Sequence, residues 1–379
     1  MTRRLGVAVV GCGQIAPRHF AAIAETEGLE LRAVCDIDPA KRHIWAGKLG
    51  VPALSDVDEI LARENIDLVS ICTPNYLHAA MAWSALDAGK HAVVEKPLAL
   101  SSADALNLGR AFQKAGLALF SVLQVRYNTA VQAAVEAVRG GALGRLYVAS
   151  MIQRWNRHPH YFEGDNNWHG KKDLEGGALF TQGIHDIDLL LQLAGPIAEV
   201  SAHTATLAHK IETEDAAVAH VTFCSGAVGV IEFGLDTYRR NLEASITVLG
   251  ERGNIELGGT AANEIAFWDV ESKERPKGLA ASTPNDYGGA YVGSPPNHGD
   301  VYRNIVAHLT HGEAIAVTAE SAAESIRVVE AIYESEKIRK TIIIACLCRD
   351  CRSEAAPGSQ TKTVNQDLAS RGGGEAQVA

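Results

Sequence analysis

The sequence predicts an α/β domain with a parallel, doubly wound sheet, followed by an α+β domain with an open, largely antiparallel sheet. Two observations support this prediction. Apolar runs typical of buried strands alternate with helical patterns over roughly the first third of the chain. Beyond that point, one long helical pattern precedes several consecutive strand-like stretches. Alternation indicates parallel βαβ units, whereas successive strands indicate antiparallel pairing.

We place the first domain at residues 1–122. Its predicted strands are residues 5–10, 30–35, 67–72, 91–95 and 117–122. Predicted helices between them include Asp38–Leu49, His78–Gly89 and a short helix with Asp56 at its start. Open α/β sheets bind ligands outside the carboxyl ends of their strands, so we expect a site at that edge.

The first strand leads into Gly11-x-Gly13-x-x-Ala16, with Gln14 and Ile15 between the glycines and the helix. This pattern predicts the phosphate loop of a Rossmann domain, because the glycines permit a tight turn and close approach to a pyrophosphate. The second strand ends in Asp36, about twenty residues on, where an acid receives the ribose hydroxyls. Asp36 favours NAD over NADP, since a carboxylate repels a 2′-phosphate, although Arg42 weakens that preference.

Two further segments follow predicted strands at the same edge. Thr73-Pro74-Asn75 comes after the strand at 67–72, and Glu95-Lys96-Pro97 comes after the strand at 91–95. The second segment brings a cation and a rigid proline to the place where such a sheet holds its ligand. We therefore predict that both segments contribute to a dinucleotide site.

The second domain is predicted at residues 123–340. It begins with a helix at Asn128–Gly140 and a strand at Leu146–Arg154, and a helix at Glu175–Leu193 follows. The later predicted strands are Ile197–Thr206, Ala216–Phe223, Ala227–Leu235, Ser245–Gly250 and Gly253–Leu257. Residues 271–300 read as a long loop, and the predicted helices after it are His298–Gly312 and Thr318–Lys340. An open sheet leaves one face to cover, so we expect a homodimer or homotetramer. Residues 341–379 are predicted to be a disordered tail.

Composition narrows the possible functions. Among 379 residues, 47% are hydrophobic, which is ample for two cores, and the formal net charge is −10. Acidity argues against nucleic acid or an anionic membrane as a partner, and no run is long enough to span a bilayer. Seven cysteines without framework spacing favour a reducing cytoplasm. We expect no metal site, because neither the late cysteines nor the histidines at 158, 160 and 169 have ligand spacing.

These motifs together resemble the Gfo/Idh/MocA oxidoreductases, over about residues 4–340. The resemblance rests on the segments Gly11–His19, Thr73–Asn75 with His78, Glu95–Pro97 and Gly176–Leu190. It implies oxidation or reduction of a secondary alcohol on a sugar or cyclitol by a nicotinamide. It also implies that Lys96 lies beside the reacting hydroxyl and that His185 is the acid/base. The cofactor contacts expected on this basis are Gly11, Gly13, Gln14, Ile15, Asp36, Thr73, Pro74, Asn75, His78, Glu95 and Lys96.

One departure from the family bears on the substrate. Inositol dehydrogenases carry Asp four residues before the histidine, whereas this chain has Thr181 followed by Gln182. A neutral pair is similar to the subgroup of nucleotide-sugar 3-dehydrogenases. Arg and Trp side chains suit a charged sugar substrate, because guanidinium grips carboxylate or phosphate and indole stacks on a sugar ring. The candidate substrate contacts are Arg154, Trp155, Arg157, Trp168, Thr181 and Gln182.

The sequence therefore predicts an NAD-dependent dehydrogenase acting on a CH–OH group of a sugar or nucleotide sugar. Within the enzyme class, the alternative is a free-sugar or inositol-type dehydrogenase. From a different class, the alternative is a non-catalytic sensor that binds a dinucleotide on the same fold. Lys96 and His185 count against the sensor, which needs neither side chain.

Overall fold

The computed structural model describes residues 3–163, 167–279, 283–284, 286 and 292–344. Its first sheet has six strands in the order β3-β2-β1-β4-β5-β6, and every neighbouring pair is parallel. The strands are β1 (Leu5–Val10), β2 (Leu29–Cys35), β3 (Ala53–Leu54), β4 (Leu68–Ile71), β5 (His91–Val94) and β6 (Leu119–Ser121). The predicted parallel sheet is confirmed, with the strand order reversing between β1 and β4.

Helices connect these strands and cover both faces of the sheet. They are α1 (Ala16–Glu25), α2 (Pro39–Leu49), α3 (Val57–Leu61), α4 (His78–Asp87) and α5 (Ser102–Ala115). Local chemistry sets their ends. The Asp38 carboxylate accepts from the amides of Ala40 and Lys41 at the start of α2, and left-handed Gly50 ends that helix.

The second sheet has eight strands in the order β13-β12-β11-β7-β10-β9-β8-β14. Only β7 and β10 pair in parallel, so the predicted open, largely antiparallel sheet is confirmed. The strands are β7 (Leu146–Arg154), β8 (Ile197–Ala205), β9 (Ala216–Phe223), β10 (Val228–Gly234), β11 (Glu243–Gly250), β12 (Gly253–Gly258), β13 (Glu264–Val270) and β14 (Ile342–Ile343). The edge strands β13 and β14 were not predicted.

Five helices complete the described chain: α6 (Thr129–Arg139), α7 (Lys172–Glu175), α8 (Ile184–Ala194), α9 (His298–His311) and α10 (Ala319–Ile338). Helix α8 packs on β7 and β11, and α10 packs on both β8 and α5. Helix α9 returns to the first sheet, where Val301, Tyr302 and Ile305 join the core around α1. The domain boundary at residue 122 stays a prediction, and helix α9 from the late part of the chain packs against the first sheet.

The helix predicted at Glu175–Leu193 is broken at its start. Helix α7 ends at Glu175, and Gly176 and Gly177 follow with φ of 87° and 143°. One π-helical turn, Leu179–Gly183, then leads into α8. A Cβ on Gly177 would lie 1.8 Å from the hydroxyl oxygen of Tyr333, so contact with α10 demands glycine here.

The disordered tail is predicted to start at residue 341, but the first residues of this segment form a strand. Ile342 and Ile343 pair with β8, and the amide of Ile344 donates to the carbonyl of Ala198. The rest of the tail, residues 345–379, lies outside the described residues. Across the described parts of 271–297 no helix or strand forms, as the loop prediction requires, apart from one bridge between Asp286 and Val292. None of the helices in the described chain is both long and apolar enough to cross a membrane.

Candidate active site

The two glycines of the phosphate loop have different surroundings. Gly11 has φ of 93°, and a Cβ there would lie 2.5 Å from the carbonyl oxygen of Cys72. A Cβ on Gly13 would meet no atom within 4 Å. Gly11 thus lets the loop pass close to the end of β4, while Gly13 leaves open space at the start of α1.

Helix α1 begins beside this space without a side-chain cap. Ile15 stands at the N-cap, and no side chain accepts a hydrogen bond from the first turn. Gln14 before it is exposed. An uncapped helix start offers amide hydrogens and the positive end of the helix dipole to an anion. The loop therefore fits a pyrophosphate.

Asp36 lies at the end of β2, directly against the phosphate loop. One carboxylate oxygen accepts from the amide of Cys12 at 2.7 Å, and the other accepts from the amide of Asp38 at 2.8 Å. Arg42 donates to the backbone carbonyls of Asp36 and Ile37 rather than to the carboxylate. The carboxylate is thus held where an adenosine ribose is expected in a Rossmann domain.

The loops after β4 and β5 are joined by His78. Its imidazole is fully buried, with Nε2 2.8 Å from the Thr73 carbonyl and Nδ1 2.6 Å from the Pro97 carbonyl. Both ring nitrogens contact backbone carbonyls, so His78 holds these two loops together. Asn75 is also buried, and its amide group donates to the Glu175 carbonyl and to the Thr181 hydroxyl.

Lys96 extends from the end of β5 toward the π-helical turn. Its ammonium group donates to the Thr181 carbonyl at 2.6 Å, which leaves two further N–H groups. Burial lowers the pKa of Lys96, and the nearby charge of Glu95 opposes that shift. The amine therefore releases a proton more readily than a surface lysine.

His185 stands in the first turn of α8 and is 4% exposed. Its Nδ1 has no hydrogen-bond partner among the described residues. Burial lowers the pKa of His185 to about 3, and the charge of Lys96 adds to this effect. The imidazole is consequently neutral at ordinary pH and has a ring nitrogen available to a ligand.

A polar cluster adjoins this pair. Arg157 is 1% exposed, and it donates to the side-chain oxygen of Gln182 at 2.5 Å. The Gln182 amide in turn donates to the Tyr161 hydroxyl at 2.7 Å. The guanidinium lies over the Trp155 ring, 4.9 Å from its centroid. The structure thus brings together three predicted substrate residues, and Tyr161 is an addition that the sequence interpretation missed.

Trp168 stacks on His169 with ring centroids 4.0 Å apart. Burial lowers the pKa of His169 to about 3, with the charges of Lys96 and Arg157 contributing. The His169 ring also lies against Tyr161, with ring centroids 4.2 Å apart, so it adjoins the same polar cluster. His169 is a second member that the sequence interpretation did not assign to the substrate.

The structure does not bring Arg154 to this site. Successive residues of a strand face opposite sides of a sheet, and Gln153 faces the buried side. Arg154 points to the open side, where its guanidinium binds the carboxylates of Glu232 and Glu243 at 2.6 Å and 3.0 Å. Its predicted contact with the substrate is therefore corrected.

A phosphate loop, an acid at the end of β2 and a half-buried amine that acts electrostatically on a neutral imidazole are the features of a nicotinamide-dependent dehydrogenase. Comparison with known proteins agrees with this class. A family model described as an oxidoreductase family with an NAD-binding Rossmann fold matches residues 5–123. The GFO/IDH/MocA C-terminal domain model matches residues 131–256. The chain belongs to the Gfo/Idh/MocA family and is a dehydrogenase acting on CH–OH groups of sugars.

Several relatives align over most of the chain. The WlbA dehydrogenase from Bordetella pertussis, solved with NADH and UDP-GlcNAcA, is 32% identical with a TM-score of 0.81. That match covers 91% of this chain and 100% of the other. The D-apiose dehydrogenase of Paraburkholderia graminis is 28% identical, and the match covers 91% of each chain. The Myo-inositol 2-dehydrogenase of Thermotoga maritima is 27% identical, over 70% of this chain and 78% of the relative.

Proposed function

We propose that the enzyme oxidises or reduces a secondary alcohol on a nucleotide-linked sugar, with Lys96 and His185 at the reacting carbon. One observation carries this proposal. The half-buried ammonium of Lys96 donates to the Thr181 carbonyl at the carboxyl edge of the first sheet, within electrostatic reach of the neutral, buried imidazole of His185. Amine and imidazole are both suited to proton transfer at a carbinol.

The chemistry follows from these two side chains. Oxidation removes the hydroxyl proton and transfers a hydride, with its electron pair, from the carbinol carbon. When bound, the nicotinamide supplies the hydride acceptor. Neutral His185 accepts the hydroxyl proton, and the free N–H groups of Lys96 donate to the oxygen as negative charge develops there. In reduction the same groups return the proton.

The choice of a nucleotide sugar rests on the residues around this pair. Thr181 and Gln182 are neutral, and Gln182 is tied to Arg157 and Tyr161. A buried guanidinium favours an anionic substrate group, because it can donate two parallel hydrogen bonds to a carboxylate or phosphate. The Bordetella pertussis relative, solved with UDP-GlcNAcA, supports this choice.

We also propose that the cofactor is NAD rather than NADP. The Asp36 carboxylate, held by the Cys12 amide, occupies the position where NADP would carry a phosphate. Repulsion between the Asp36 carboxylate and the 2′-phosphate disfavours NADP.

Two finer points belong to the same proposal. Self-association into a homodimer or homotetramer would cover the open side of the second sheet, where Val218, Val228 and Val230 are exposed. A cytoplasmic location suits the free, buried thiols of Cys12 and Cys35, because a reducing compartment keeps cysteines unpaired.

The substrate class is tested by two arginines three positions apart, Arg154 and Arg157. Arg157→Ala is expected to raise KM for a UDP-linked sugar acid about a hundredfold, because one bidentate ion pair is lost. Arg154→Ala is the matched control, since its side chain lies on the other side of the sheet. NADH fluorescence titration shows that each variant still binds the dinucleotide. An unchanged KM in Arg157→Ala would contradict the assignment of an anionic substrate.

A further inference from the structure

Behind Lys96, one buried carboxylate connects three distant parts of the chain. Glu95 Oε1 lies 3.0 Å from His19 Nε2 of α1 and 3.4 Å from His298 Nε2 of α9. Glu95 Oε2 accepts from the backbone amide of Lys96 at 3.1 Å. All three residues are buried, with at most 5% of each exposed. The carboxylate therefore fixes the peptide from which the Lys96 side chain extends.

A second layer of hydrogen bonds orients the histidine of α1. His19 Nδ1 lies 2.9 Å from the Tyr302 hydroxyl and 3.1 Å from the Ser70 hydroxyl, and Tyr302 donates to Ser70. With Nδ1 engaged in this way, Nε2 is aimed at Glu95. Helix α9 supplies both Tyr302 and His298, four residues apart and thus on one face.

The negative charge of Glu95 explains why two imidazoles, those of His19 and His298, surround it. A buried carboxylate is costly unless donors surround it. Hydrogen bonds from His19 and His298 hold the pKa of Glu95 well below its usual range, despite burial. The charge of Glu95 in turn opposes the lowering of the Lys96 pKa. Loss of one donor would leave the carboxylate underpaired next to the amine.

We propose that His298 is a positioning residue for the reaction, acting through Glu95 on the backbone of Lys96. This inference rests on the proposed function, because it matters only if Lys96 meets the substrate. Helix α9 thereby contributes to the active site, although it comes from the late part of the chain.

The same three side chains have the composition of a metal site, with one ligand atom from each lying within 4.8 Å of the others. Hydrogen bonding accounts for the arrangement better. Both Nε2 atoms point at a single carboxylate oxygen, as donors do, and a bound cation would require both to be deprotonated. Tyr302 and Ser70 add oxygen partners to His19 rather than a fourth ligand to the group.

The first test is a nuclear magnetic resonance measurement that needs no substrate. In protein labelled with ¹⁵N-lysine, the Lys96 amide is identified by its absence from the spectrum of Lys96→Arg. His298→Leu is expected to shift this amide and to speed its exchange with water about tenfold or more, because its acceptor is loosened. His298→Gln, which keeps an N–H donor, is expected to stay close to wild type. His311→Leu, at an exposed position of α9, is the control.

The second test uses the substrate found by activity assay. His298→Leu is expected to lower kcat about tenfold to a hundredfold with KM for the sugar nearly unchanged, and His298→Gln is expected to recover most of that loss. An unmoved Lys96 amide in His298→Leu would overturn the inference, and so would a bound equivalent of Zn²⁺ in the purified protein by mass spectrometry. If Lys96→Ala stays fully active, the proposed function fails, whatever the amide does.

Discussion

At the residue scale, burial sets the charge of the side chains around Lys96. The imidazoles of His185 and His169 have pKa values lowered to about 3, so both are neutral at ordinary pH. Burial acts in the opposite direction on carboxyl groups and raises the pKa of Glu175 to about 7. One oxygen of Glu175 accepts from the Gly170 amide, and the other has no partner among the described residues.

Glu175→Gln should gain stability relative to wild type as pH rises from about 4.5 to 7. Over this range the unfolded state releases its proton while the folded state retains it, so wild type loses stability with rising pH. Glutamine keeps an acceptor for Gly170 and carries no charge. Urea unfolding at pH 5 and pH 8 measures the difference. The exposed Glu64→Gln is the control, and a pH-independent difference for Glu175→Gln would contradict the shifted pKa.

At the scale of elements, the break before α8 gives the active site its shape. The two left-handed glycines end α7, and the π-helical turn that follows presents the Thr181 carbonyl to Lys96. The π-helical turn interrupts the regular α-helical pattern at this point and so changes where the backbone carbonyls are directed. The break is therefore part of how the amine is held.

Gly177→Ala should destabilise the protein by about 3 kcal/mol or more, since its Cβ would overlap the Tyr333 hydroxyl. Gly116→Ala shows the cost of a mildly strained, left-handed backbone without any overlap. Gly116 has φ of 70° but open space around its Cβ, so we expect a loss of about 1 kcal/mol there. Urea unfolding of both variants gives the comparison, and equal losses would show that the contact with Tyr333 carries no penalty.

Elements with a local signal could be predicted from the sequence, and those fixed by distant contacts could not. An apolar run in the sequence indicates strand β1, and the glycines after it indicate the phosphate loop. The break at Gly177 depends on Tyr333, far along the chain, and therefore looked like continuous helix. Edge strand β13 escaped prediction because most of its residues are exposed.

The site shows the same division. Asp36 and Lys96 follow predicted strands, so their place at the sheet edge could be derived from the sequence. Arg154 and Arg157 looked equivalent, although the period of two along β7 sends Arg154 to the open side. No sequence motif near His298 indicated its role, because its partner Glu95 is 203 residues earlier in the chain.

At the scale of the molecule, α9 and α10 tie the two sheets into one unit. Helix α9 packs on α1, and α10 bridges β8 and α5. Residues from both sheets and from α10 share one continuous apolar core. The two sheets should therefore unfold together, although sequence patterns place them in separate domains.

Calorimetry should show a single unfolding transition, and NADH should raise its midpoint temperature without splitting it. A ligand at a hundred times its Kd adds about 2.7 kcal/mol to the stability of everything that unfolds with its site. Gly13→Ala is the control, because a Cβ there enters the open space of the phosphate loop and should abolish the shift. Two transitions, with only the first moved by NADH, would contradict a shared core.

The most direct test of the proposed function is absorbance at the reduced-nicotinamide band, with NAD and a substrate panel. The panel holds UDP-linked sugars and sugar acids, free hexoses and inositols, each offered to wild type and to Lys96→Ala. We predict signal with a charged nucleotide sugar in wild type and a loss of about a thousandfold or more in the variant. Signal with free polyols alone, or undiminished turnover by Lys96→Ala, would contradict the account.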